Sequence, residues 1–287
     1  MANRQQADNL SGTDHINNHG PRGVLLALLG LVLASFSYAG GAPAIELDYQ
    51  VLQKQPLPSA FFTQGLEIHQ GQLLHSSGLY GKSKLVSRPL HKAAQRNWQY
   101  ILPKRYFAEG LTVLNNTVYL LSWREQTLWR FDVNSGKLLS RGRYQGEGWG
   151  LSHTQEELIR SDGSDTLFFH DPDTLAVTRR LAVTRNGQAV KYLNELEFAQ
   201  GLIWANIWQS NEIIAIDPDS GQVLAVIDIT QLAKLEAKPD PDAVSNGIAY
   251  HPDDNSFWVT GKNWSHLYQL RLDTSPLTPS STAKQPR

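Results

Sequence analysis

The stretch RYFAEGLTVLNNTVYLLSWREQTLWRFD, Arg105 to Asp132, decides the fold. Apolar and polar residues alternate through three short runs, with Asn115-Asn116 between the first two, which is the pattern of β-strands joined by tight turns. One residue breaks it. Glu109 stands at the head of the first run, followed by a glycine, where a scaffold strand takes an apolar or small residue. Working outward, the same opening recurs as FTQGLEI, FAEGLTV, GWGLSH, LNELEF and SNGIAY, aligned on Gly65, Gly110, Gly150, Glu195 and Gly247 at steps of 45, 40, 45 and 52 residues. After each opening come a turn, a second strand that ends in a small or polar residue, and a third strand that closes on Asp-x-x-x-Gly or a relative.

A period of about 40–50 residues with about four strands per unit is the signature of a β-propeller, whose blades bury their faces only by stacking around an axis. The expected fold is all-β, a five-bladed β-propeller closed by an N-terminal strand. The last unit, ending near Leu272, reads one strand short, and Ile45–Leu52 is expected to supply the missing strand and so remove an exposed edge. A β-sandwich or plain barrel also uses short strands with turn signals, but the repeat argues against both. The only helical-looking stretch is DITQLAKLEAK, Asp228 to Lys238.

Arg22 precedes an apolar run that ends in Ser37-Tyr38-Ala39, the layout of a secretory signal with small residues before the cut. Cleavage is expected after Ala39. The rival reading of the run is an uncleaved anchor, which needs roughly 17–25 apolar residues. The expected organisation is therefore a signal peptide over 1–39, the propeller over 40–273, and a flexible Pro/Ser/Thr-rich tail over 274–287. A periplasmic or secreted monomer, with no stable membrane association after cleavage, is the corresponding expectation.

The chain has 287 residues, is 41% hydrophobic and 18% charged, and carries a formal net charge of -1, so it folds around a substantial core and offers no basic field for nucleic acid. It lacks cysteine, which excludes disulfides, thiolate metal sites and cysteine nucleophiles. Of the nine histidines only His15 and His19 stand four apart, and HINNH lacks the glutamate of the zinc-hydrolase pattern. The Asp-rich segments HDPDT and IDPDSG lack a full calcium-ligand series and read as capped type I turns. No metal site and no cofactor are expected.

In a propeller the first strand of each blade lines the central channel, so the block heads converge at one end of the axis. The heads and the ends of the second strands supply Phe62, Gln64, Phe107, Glu109, Trp123, Trp149, Asn194, Glu195, Trp208, Lys262 and Trp264. Of the eight tryptophans, Trp98, Trp129, Trp204 and Trp258 are read as packing between blades, and Trp123, Trp149, Trp208 and Trp264 as an aromatic ring that could hold a cation.

The blocks FFTQGLEI, SSGLYGKSKL, YFAEGLTVLNNTVYLLSWRE, GEGWGLS, RSDGSDTLFFHDP, YLNELEF, IWANIWQSNEIIAIDPDSG, NGIAYHP and FWVTGKNW, taken in order from about Tyr49 to Leu272, resemble the plant and bacterial type of glutaminyl cyclase. The resemblance implies a five-bladed propeller that converts the N-terminal glutamine of a peptide or protein into pyroglutamate with release of ammonia. It also implies that Glu109 is the acid/base residue and that Phe62, Gln64, Phe107, Trp123, Trp149, Asn194, Trp208 and Lys262 lie on the pocket. Trp264 comes from the blade pattern alone. The animal enzymes of the same activity are zinc-dependent and differently folded, so zinc is not carried over; a structural divalent ion in the channel belongs to the wider family type and is not expected from these residues. The oxyanion of the attacked amide has three candidate partners, Asn194, Lys262 or an indole N–H. A non-catalytic peptide- or sugar-binding propeller is the alternative function, and it needs no channel carboxylate. A metal-dependent lactonase of the propeller type needs more ligands than the block heads give.

Overall fold

The computed structural model describes residues 43–57, 61–92, 94–236 and 241–277. The expected signal peptide and most of the expected tail lie outside these residues. Five antiparallel sheets stand around an axis. The first blade runs Thr63–His69, Gln72–Ser77, Lys84–Pro89 and Trp98–Ile101, and the second Ala108–Leu114, Thr117–Ser122, Thr127–Asp132 and Leu138–Arg143. The third runs Leu151–His153, Leu158–Arg160, Thr166–His170 and Val177–Ala182, and the fourth Leu193–Ala199, Leu202–Ile207, Glu212–Ile216 and Val223–Asp228. The fifth has Ser245–His251, Ser256–Gly261 and His266–Leu272 from the C-terminal part and takes its outer strand, Tyr49–Pro56, from the N-terminal part.

The closing strand thus sits further along the chain than Ile45–Leu52. Ile45–Glu46 instead pairs in parallel with Ala225–Val226 on the outer edge of the fourth blade, and Leu47 continues the pairing by donating to the Val226 carbonyl at 2.8 Å. One N-terminal segment therefore grips two neighbouring blades and covers the edge of each.

The turns explain why the period is legible. Asn115-Asn116, Gln70-Gly71 and Gln200-Gly201 all have positive φ at both positions, the conformation of two-residue hairpin turns whose twist matches that of the strands. Asp132, Asp171 and Asp217 cap the turns after the third strands, accepting the amides of Ser135, Thr174 and Ser220 at 2.7–2.8 Å, as read for the Asp-rich segments.

The apolar core lies between blades rather than on the axis. Five buried clusters fill the five inter-blade spaces: Trp129 and Phe131 with Leu74 and Leu85, Leu121 and Tyr144 with Leu151, Phe169 and Leu181 with Ile203, Trp204 and Ile213 with Phe257, and Trp258 with Leu66 and Leu73. Trp129, Trp204 and Trp258 are fully buried, as expected for packing residues, and Trp98 is half-buried beneath Gly136. The helix Thr230–Glu236 lies within the helical-looking stretch. Its buried last residue, Glu236, accepts from the Ser265 amide and the Tyr268 hydroxyl, both at 2.6 Å, and so fastens the helix to the fifth blade. No helix among the described residues is long and apolar enough to cross a membrane.

Candidate active site

The inner strands approach one another so closely at the block heads that a side chain has no room on three of them, at Gly65, Gly110 and Gly150. A Cβ on Gly110 would lie 2.4 Å from the Leu151 amide nitrogen, and one on Gly150 would lie 2.0 Å from the Asn194 carbonyl oxygen. The fourth blade carries Glu195 at the matching position. Its carboxylate crosses the axis, accepting the Leu66 amide at 3.1 Å and the Ile248 amide at 2.7 Å from the inner strands of the first and fifth blades. The residue is fully buried.

At four of the five heads the strand pairing slips. The register shifts between Thr63 and Gly65, Ala108 and Leu111, Leu193 and Leu196, and Ser245 and Ile248. A bulge inserts residues that the ladder does not use and re-aims their side chains. Gln64, Glu109, Asn194 and Asn246 are the residues so released, and this is why a carboxylate can stand inside strand sequence.

Glu109 is buried. Its Oε1 accepts from Gln64 Nε2 at 2.8 Å, and Oε2 carries no hydrogen bond among the described residues. Removal from water pushes the carboxyl well above the ordinary range; the Lys262 charge opposes this, the Glu147 and Glu125 charges reinforce it, and the Gln64 hydrogen bond weakly opposes it. Burial is the largest of these effects, and it favours the protonated form of Glu109. Lys262 forms no contact ion pair with it; the ammonium lies 5.0 Å from the centre of the Phe62 ring, and burial lowers its pKa against the pull of Glu109 and Asp242.

The aromatic wall has two sections. Phe107 meets Phe62 at 6.1 Å and Trp123 at 5.6 Å, edge to face, while Trp149 meets Trp208 at 5.7 Å. Two exposed rings extend them, Tyr80 against Phe107 and Tyr192 against Trp208. Gly78 is required beneath Phe107, since a Cβ there would lie 2.3 Å from the ring.

Trp264 departs from the expectation. It is 1% exposed and packs in the core between the fourth and fifth blades, with its indole N–H toward the Ala243 carbonyl at 3.4 Å. The N–H groups of Trp123 and Trp149 are also occupied, both by Glu147 Oε2, at 2.8 and 3.1 Å. Among the four indoles expected at the site, only Trp208 keeps an N–H without a hydrogen bond among the described residues. The Asn194 side chain likewise carries none, its carbonyl alone being taken by the Ser161 hydroxyl at 2.6 Å.

Sequence reading missed Asn246, which occupies the Gln64 position of the fifth blade and donates to the Thr63 carbonyl at 2.9 Å and Gln64 Oε1 at 3.4 Å. The block alignment contained it in SNGIAY. Glu125 and Glu147 lie in loops and had no periodic signal.

At the opposite ends of the inner strands a cavity of about 700 Å³ is lined by Glu67, His69, His153, Glu197 and His251 among others, and by none of the residues named for the site. These groups bear on whether the channel suits a divalent ion. Glu67 accepts the Thr112 hydroxyl at 3.0 Å and the Val113 amide, and Glu197 accepts the Tyr250 amide. With Glu195 they cap unpaired amides of neighbouring inner strands, and no three carboxylate or imidazole groups among the described residues converge as a metal shell.

The chain is similar to known proteins in sequence and in fold. Residues 24–272 match the family described as glutamine cyclotransferase. A glutaminyl-peptide cyclotransferase of Arabidopsis thaliana is 34% identical over 264 residues, 88% of this chain and 82% of that one. The crystal structure of Myxococcus xanthus glutaminyl cyclase superposes with a TM-score of 0.75 at 37% identity, covering 80% of this chain and 98% of the other. On this evidence the chain belongs to the glutamine cyclotransferase family.

Proposed function

We propose that this protein cyclises the N-terminal glutamine of peptides and proteins to pyroglutamate and releases ammonia. The observation that carries the reading is Glu109, a buried carboxyl whose hold on its proton burial strengthens and whose Oε2 carries no hydrogen bond among the described residues. In the reaction the substrate's α-nitrogen attacks its own γ-amide carbonyl carbon. Ring closure is intramolecular, so the wall need only hold the folded-back conformer.

Proton traffic is the harder part. The amine, with a pKa of about 7.7–8.0, attacks only when uncharged, and the amide nitrogen leaves only once protonated. Glu109 gives its proton to the departing nitrogen and takes in exchange the one that the attacking nitrogen sheds, so the carboxyl ends the cycle as it began. Lys262, Asn194 and the Trp208 N–H are the donors suited to the oxyanion. The faces of Trp149 and Trp208 suit the cationic substrate, since the Trp123 face already carries Arg124 at 3.7 Å and the Phe62 face carries Lys262.

The test is to incubate the purified protein with a Gln-initiated peptide and follow the product mass. Loss of the mass of ammonia is expected, with no added cofactor; a peptide bound and returned intact would instead favour the peptide-binding propeller. The apolar run before Ala39 supports export and cleavage there, giving a periplasmic or secreted monomer free of the membrane. N-terminal sequencing of the exported protein checks the cut, and its sedimentation checks the monomer.

A further inference from the structure

Glu147 lies in GEGWG, the loop between the second and third blades, and the loop is pinned from both sides. The Gly148 amide donates to the Trp123 carbonyl at 2.9 Å, and the Glu147 carbonyl accepts from the Arg160 guanidinium. Gly148 has to be glycine, because a Cβ would lie 2.3 Å from the Tyr144 hydroxyl. The carboxylate itself is therefore delivered to a fixed place.

There one oxygen, Oε2, accepts both the Trp123 and the Trp149 indole N–H groups, from two different blades. The other, Oε1, accepts from Arg124 Nε at 3.0 Å, and the Arg124 guanidinium lies 3.7 Å from the Trp123 ring centre. The ring contacts of Trp123 run to Phe107 and those of Trp149 to Trp208. Among the described residues, only the Glu147 side chain is hydrogen-bonded to both sections of the wall.

We propose that Glu147 is a positioning residue for the cyclisation, an anionic clamp that fixes Trp123 and Trp149 as a single wall beside Glu109. The role rests on the cyclase reading. Burial raises the Glu147 pKa, but the hydrogen bonds from Trp149, Trp123 and Arg124 outweigh it and hold the group below its ordinary value, so the clamp is charged. That charge is one of several acting at Glu109: Lys262 and Gln64 favour the carboxylate, Glu125 and Glu147 oppose it, and Tyr80 and Tyr144 lie within its field.

The test compares Glu147→Gln and Glu147→Asp with the wild type in kcat/KM against pH, in melting temperature, and in the indole N–H resonances of Trp123 and Trp149. Glu147→Gln keeps the reach but loses the charge. It is expected to lower kcat/KM by about 10–100-fold, in line with the cost of a small misplacement of reacting groups, and to move the limb of the profile governed by Glu109 to lower pH. Glu147→Asp keeps the charge but shortens the arm; it should lose turnover with that limb in place. Both should displace the two indole resonances. Unmoved resonances, or a fall in melting temperature with turnover and limb unchanged, would overturn the proposal. A wild type inert toward Gln-peptides would overturn the cyclase reading, and this role with it, while the resonances would still report whether the clamp exists.

Discussion

Glu109 is held by one amide, from Gln64, and its other oxygen faces the site. Replacing it with Gln preserves shape and burial and removes only the ability to carry a proton. Glu109→Gln is expected to lower kcat by about 10²–10⁴-fold, the range of a general acid/base residue. The sign of the stability change also follows. A carboxyl with a raised folded pKa binds its proton more tightly than the unfolded chain does, so its contribution is full below the unfolded value of 4.5 and is lost as pH rises through the folded one. The variant should therefore melt no lower than the wild type, and relatively higher as the pH is raised; parallel kinetics and melting curves check both. The residues of this site were legible to unequal degrees. Gln64, Glu109 and Asn194 stood at matching places in a repeat, and geometry brings them to one end of the axis. Trp264 looked like Trp208, an aromatic just past a strand end, but Asn263 turns with φ 59° and Gly261 leaves space for the ring to fold back, a Cβ there lying 2.3 Å from the indole nitrogen. A side chain's direction after a turn depends on such φ values, and spacing alone does not reveal them.

The inner strands present amides that no neighbouring strand satisfies, and three glutamates do so instead. Glu67, Glu195 and Glu197 each accept backbone N–H groups from other blades, and burial raises all three carboxyls, Glu67 to about 8. Between pH 4.5 and about 8 the folded protein holds a proton at Glu67 that the unfolded chain releases, so stability there falls as pH rises. Glu67→Gln retains acceptors for Thr112 and Val113 without an ionisable group. It is expected to flatten this slope and to gain on the order of a few kcal/mol at mildly alkaline pH, read from urea unfolding at several pH values; an unchanged slope would count against the capping account. At this scale the hairpins were readable because two-residue turns of fixed type keep the period regular. The partner of the N-terminal segment was only half readable: Ile45–Glu46 and Tyr49–Pro56 both look like strands, and nothing local to either states which blade edge it completes.

Across the whole molecule, the two ends of the N-terminal segment close the ring, one as the outer strand of the fifth blade and the other on the edge of the fourth. Removing residues through Leu47 should uncover only the shorter pairing and cost little. Removing residues through Pro56 should expose the full edge of His266–Leu272 and give a protein that aggregates or melts far lower, which light scattering and calorimetry would report; a soluble, equally stable product would show that closure is dispensable. The side chain of Glu195, which reaches across the axis to two other blades, has a consequence for traffic. It makes the site a blind alley. A polypeptide cannot be threaded through, so glutamine must arrive as a chain end and the ring-closed terminus must back out by the mouth it entered. Selectivity for termini is then a matter of topology before it is one of recognition, and the length of the peptide trailing outside has no bearing on whether its first residue can reach Glu109.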